Sequence, residues 1–134
     1  ARLPNGAARY LLPLGGMLVA DFFLGFHATM PWVYGAMLAV IGLGSLISQR
    51  ALPWYLGGAV AGSLLFFVVT NFGVWAVTDL YASSLAGLTA CYVAALPFLL
   101  KSMAADLFFT VAGYAAFAVL GAWQRRASAE RATA

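Results

Sequence analysis

Apolar residues fill this chain in long unbroken stretches, and polar residues are confined to the short gaps between them. Neither the strict alternation of a half-buried strand nor the polar face of a surface helix interrupts these stretches. Five are distinguishable. The first covers about residues 9–26 and contains Pro13 and Gly15-Gly16. Pro13 is expected in the first helical turn, where a missing N–H costs little. The second covers about 30–48 and is entered through Thr29-Met30-Pro31. Thr29 is the expected N-cap, with Pro31 near the first helical position, and Gln49-Arg50 closes the run. The third, about 54–77, opens behind Pro53 with Trp54 and Tyr55 at the depth of a membrane interface. The fourth, about 83–100, is capped by Ser83 or Ser84, and Pro97 is expected to kink it or end it early. The fifth, about 102–123, closes on Trp123 and Gln124-Arg125-Arg126, leaving 127–134 as a polar, frayed tail.

Composition gives the pattern its meaning. Hydrophobic residues make up 64% of the 134, charged residues 8%, and mean hydropathy is +0.93. Soluble domains carry roughly 25% charged residues because their surfaces face water. Only lipid covers this much apolar surface. A crossing helix needs about 20 apolar residues, so the chain holds about five crossings at most. A β-barrel would show weakly alternating segments of about ten residues, unlike these continuous runs. The expected fold is all-α, a polytopic transmembrane bundle of about five helices over residues 1–126, followed by the tail 127–134. Residues 1–8 are too short and polar for a complete signal peptide. The start at Ala1, without Met, raises the expectation of a sixth helix before it.

The net charge of +3 arises from Arg2, Arg9, Arg50, Lys101, Arg125, Arg126 and Arg131 against four carboxylates. Most of these cations sit between apolar runs, as headgroup anchors do, so no nucleic-acid partner is indicated. Five crossings would place Arg2, Arg9, Arg50 and Lys101 on one side and the tail arginines on the other, a near balance under the positive-inside rule. An additional N-terminal helix would bring both termini to the cytoplasm. Cys91 is the only cysteine and cannot form an internal disulfide. Small residues recur four apart at Gly35/Ala39, Gly58/Gly62, Gly57/Ala61 and Ala112/Ala116. Such pairs let helices approach closely in lipid, for bundle packing or for a coupling or dimer surface.

The few polar groups within the runs carry the functional signal. An up-and-down path puts Asp21, His27, Asn71, Trp75, Asp79 and Tyr81 in one slab near one face of the bundle. A carboxylate below the interface costs about 2.5–3.5 kcal/mol on insertion scales, so Asp21 is expected to face the interior, a cavity or a partner. A packing hydrogen bond, a ligand cavity and a proton or cation path are all open to it. Asp106 is expected near the opposite face, in the first turns of the fifth run, complementing the helix dipole and pairing locally with Lys101. His27 lies in a turn, where a capping or interfacial role and axial binding of a pigment or haem are alternatives. No metal-ligand spacing, phosphate loop or nucleophile elbow occurs, and no cofactor is specified. Trp75 and Tyr81 beside Asn71 would form the aromatic wall of a small-molecule pocket.

Several strings occur together in a known order. They are Asp21-Phe22-Phe23-Leu24-Gly25-Phe26-His27-Ala28-Thr29-Met30-Pro31, Thr70-Asn71-Phe72-Gly73-Val74-Trp75-Ala76, Leu85-Ala86-Gly87-Leu88, Cys91-Tyr92-Val93-Ala94-Ala95-Leu96-Pro97-Phe98 and Asp106-Leu107-Phe108-Phe109-Thr110. Through them, most of residues 10–120 resembles an uncharacterised family of bacterial integral membrane proteins labelled as transport proteins of unknown function. That family is similar to the substrate-binding S components of energy-coupling-factor vitamin transporters, which have six helices and bind a small solute near one membrane face. Two departures stand out. Family members resembling this chain begin with a further helix, and many have a proline where this chain reads Ala82 after Tyr81. The resemblance implies a multi-pass protein of the bacterial inner membrane.

The function expected on these grounds is a transport subunit, not an enzyme, that binds a small solute in an intramembrane pocket. Asp21 and Asn71 would be polar anchors, Trp75 and Tyr81 apolar walls, and the His27 turn a gate or rim. Transport would need an energy-supplying partner, because the chain has no nucleotide-binding motif. The alternative is a structural accessory subunit of a larger membrane complex, respiratory or photosynthetic.

Overall fold

A computed structural model describes residues 8–47 and 51–133 of the chain. Arg2 and Arg50, two of the expected headgroup anchors, lie outside them. The described residues form four helices and no strand: α1 (Ala8–Leu24), α2 (Met30–Leu46), α3 (Leu52–Val77) and α4 (Leu85–Thr133). The first three coincide with the first three apolar stretches to within two residues at each end.

The expected fourth and fifth helices are one continuous helix of 49 residues. Lys101 and Ser102 do not suffice to break it, since lysine is a good helix former and neither residue imposes a turn. Pro97 removes one hydrogen bond to the Val93 carbonyl, a loss that apolar helices absorb. The tail expected to fray is also helical to Thr133, because its Ala, Glu and Arg favour helix. Pro13 lies inside α1, which begins at Ala8, and not in its first turn.

Local chemistry explains the ends. Gly25 adopts the left-handed conformation (φ 93°) and donates its N–H to the Asp21 carbonyl at 2.8 Å, closing α1. Thr29 holds the N-cap position of α2 but makes no side-chain capping bond. Ser84 does cap α4: its hydroxyl accepts the Gly87 N–H at 3.2 Å.

Helices α2 and α3 form an antiparallel pair along one glycine face. A Cβ at Gly62 would lie 3.3 Å from Val40; at Gly58 it would meet Ile47, and at Gly73 Trp32. The Gly58/Gly62 pair therefore packs helices, whereas Gly35 and Gly57 have nothing within 4 Å of such a Cβ. The nature of each neighbour decides what a methyl group does. At Gly58 the obstacle is the far end of a flexible Ile47 side chain. At Gly73 it includes the Trp32 Cβ itself, at 2.6 Å, which cannot swing away. Gly58→Ala is expected to change stability by less than about 1 kcal/mol, and Gly73→Ala to lower it by about 2 kcal/mol, read from thermal unfolding in detergent.

Helix α4 returns antiparallel along α3. Near the loop, the Cys91 thiol donates to the Asn71 carbonyl at 3.4 Å and Tyr92 Oη donates to Val68 O at 2.8 Å. Farther along, Ser63 meets Asp106 and Tyr55 faces Tyr114. The stretch Cys91–Asp106 rises about 22 Å, against about 12 Å for Ser63–Asn71, so the helices are not in register there. Pro97 sits inside this interval, along which the cleft described below opens. Helix α1 is tied to α2 through Tyr34 Oη, which donates to Asp21 Oδ2 at 2.7 Å.

This is a thin assembly. It exposes 9599 Å², where a compact soluble monomer of 14.1 kDa exposes about 6,700 Å². Its apolar side chains point outward, Phe23 at 81% and Trp123 at 69% exposure. Two helices, α3 and α4, are long and apolar enough to cross a membrane, yet only 17% of the apolar window of α3 and none of that of α4 is buried. Helices α1 and α2 are apolar but shorter.

Candidate functional site

The stretch where α3 and α4 fall out of register opens a cleft of about 680 Å³ among α2, α3 and α4. Its polar lining comes from two helical stripes. On α4, Ser102, Asp106 and Thr110 recur every fourth residue, which aligns them on one face. On α3, Ser63, Thr70 and Asn71 lie two turns apart on the face that meets them. Apolar walls are supplied by Phe66, Phe67, Phe98 and Phe109, with Met37 and Val40 of α2.

The central contact is a 2.6 Å hydrogen bond between Ser63 Oγ and Asp106 Oδ2. Ser63 is buried, at 7% exposure, whereas Asp106 is exposed into the cleft. The Ser63 hydroxyl also reaches the Ala59 carbonyl, at 2.9 Å, so its single hydrogen serves two acceptors. Three of the other polar side chains donate to their own helix: Thr70 to Phe66 O at 2.7 Å, Asn71 Nδ2 to Phe67 O at 2.8 Å, and Ser102 to Phe98 O at 2.9 Å. The hydroxyl lone pairs, the Asn71 Oδ1 and the second Asn71 N–H stay available to the cleft. Ser63 stands about 16 Å along α3 from Leu52 and about 21 Å from Val77, so the carboxylate lies near the middle of that helix.

Of the residues expected to form a site, Asn71 alone lines this cleft. Asp21 is half-buried and bonded to Tyr34, with no hydrogen bond to Asn71. His27 is exposed in the α1–α2 turn, its Nδ1 3.4 Å from Gly25 O. Trp75 donates its indole N–H to Ala82 O at 3.0 Å and packs its ring against Phe72, pinning the α3–α4 loop. Tyr81 sits half-buried in that loop. Among the described residues no group of three His, Cys, Asp or Glu could hold a metal ion.

Asp106 is the residue the sequence reading misplaced. A helix start at 102 would have put it in the first turn beside Lys101. In the continuous α4 it lies in mid-helix and takes Ser63 as its partner. The four-residue recurrence of Ser102, Asp106 and Thr110 was the available signal, a polar stripe on an otherwise apolar helix.

Fold and site together define an all-helical protein with two helices of membrane-crossing length and one carboxylate facing a cleft between packed helices. The chain belongs to the family of unknown function DUF6580, whose model matches residues 1–130. No curated protein and no solved structure matches it.

Proposed function

We propose that this chain is a multi-pass protein of the bacterial cytoplasmic membrane that binds a small solute in the α2–α3–α4 cleft, as a transport subunit resembling S components. Helices α1 to α4 would cross in turn. At 17 residues, α1 and α2 stand at the short end of the crossing range. The exposed apolar surface supports this placement, since lipid is the medium that covers it.

One observation carries the reading. Asp106 presents a carboxylate at mid-helix into a cleft of about 680 Å³, within the range of about 300–1,000 Å³ that small-molecule sites occupy. Ionisable groups at such depth are costly in lipid and mark solute or ion sites. The test is native mass spectrometry of the full chain released from nanodiscs. A retained small molecule is expected, lost in Asp106→Ala, reduced in Asn71→Ala and kept in Asp21→Ala. Retention that depends on Asp21 and ignores Asp106 would move the site to the α1–α2 tie.

The second reading, a structural subunit of a larger membrane complex, draws on a different observation. The faces bearing Gly35/Ala39, Gly57/Ala61 and Ala112/Ala116 are not packed within the chain. Small-residue faces of this kind suit a partner helix. Stoichiometric co-elution with a large assembly, without retained solute, would favour it.

A further inference from the structure

Acceptors predominate among the polar groups of the cleft. Among the described residues, Asp106 is its only ionisable lining group, and no Lys, Arg or His lines it. Around that carboxylate, Ser63, Thr70 and Ser102 direct their hydroxyl hydrogens into carbonyls of their own helices and Asn71 one of its two N–H groups, and all four keep acceptor lone pairs. The Asp106 carboxylate has about four acceptor positions, and its side-chain partner, Ser63, has one hydrogen already shared with Ala59 O. An anionic solute would meet repulsion, and a neutral acceptor would find few donors.

We propose that the cleft takes a small organic cation, an ammonium head carried on an apolar or aromatic body. This rests on the solute-binding reading above and adds the charge and shape of the solute. The head sits against Asp106 and Ser63, where a charge-assisted hydrogen bond replaces water. The body lies against Phe67 and Phe98, whose ring faces attract a cation as well as apolar carbon. The cleft therefore has its charge at one point and aromatic surface around it, which selects amphiphilic amines over inorganic ions, since a metal ion needs several convergent oxygens.

Three probes share one body and differ in head: 4-phenylbutylammonium, 4-phenylbutanol and 4-phenylbutyrate. Each is titrated into the full chain in phosphatidylcholine nanodiscs, with binding read by calorimetry against empty nanodiscs. The ammonium is expected to bind at least tenfold more tightly than the alcohol, and the carboxylate more weakly still. Asp106→Asn should bring the ammonium to within twofold of the alcohol. Ser102→Lys, one turn ahead on the same face, supplies an internal ammonium and should abolish binding of the added one while Asp106 stays in place. An ammonium preference that survives both substitutions overturns the proposal. Equal binding of all three probes, lost when Ser102→Phe fills the cleft, removes cation selectivity and leaves the solute site standing. Failure of every probe to bind removes both.

Discussion

Asp106→Leu will unfold at a higher temperature than the unsubstituted protein in the same detergent. The carboxylate is held at mid-helix by one hydroxyl, and that hydroxyl keeps the Ala59 carbonyl as its acceptor when the carboxylate is gone. On insertion scales Asp at a helix centre costs about 2.5–3.5 kcal/mol and Leu gains about 0.3–0.6 kcal/mol. The unfolded chain shares part of that difference in a micelle, so about 1–2 kcal/mol of added stability is expected. The companion change has the opposite sign. Ser63→Ala leaves the carboxylate without its donor and should lower stability by about 1 kcal/mol, but should be nearly neutral once Asp106 is Leu. A lower unfolding midpoint for Asp106→Leu would mean that the carboxylate is a packing strut and not a group held for a ligand.

Gly87→Ala should be the most damaging single methyl group that can be added to this chain. The loop folds back so closely over the start of α4 that a Cβ at Gly87 would press on the Ala82 carbonyl, with the Ala82 nitrogen and carbonyl carbon both 2.9 Å away. That obstacle is backbone, which no rotamer change relieves. The same carbonyl accepts the Trp75 indole N–H at 3.0 Å and the Ser84 N–H at 2.8 Å. Making room for the methyl group therefore disturbs the α4 cap and the Trp75 anchor together. A loss of about 3 kcal/mol is expected, at the upper end for overpacking, seen as a lower unfolding midpoint and a freed Trp75 in fluorescence. Unchanged stability would show that the loop does not hold this close path.

These outcomes separate two kinds of residue that look alike along the chain. Asp21 and Asp106 are both lone carboxylates in apolar surroundings, yet Asp21 has a phenol partner on α2 and lies away from the cleft lining, whereas Asp106 opens into it. Trp75 and Tyr81 are aromatic residues beside Asn71 in sequence, but Trp75 turns its polar edge to the loop backbone. Sequence distance from a helix end located Asn71 well, because α3 has the ends its apolar run implies. The same arithmetic misplaced Asp106, because it assumed a break at Lys101.

Apolar content and run length, by themselves, determined that the described chain is helical and where α1, α2 and α3 begin and end. Those properties are local: hydrogen bonding within a helix and the gain from withdrawing apolar side chains from water depend little on which helix lies alongside. Continuity through Lys101, the glycine seam of α2 on α3 and the meeting of Ser63 with Asp106 were decided only by tertiary packing. Partners 43 positions apart in the chain are brought together by the relative register of two helices, and register depends on side-chain fit along the whole contact, which no short stretch of sequence contains.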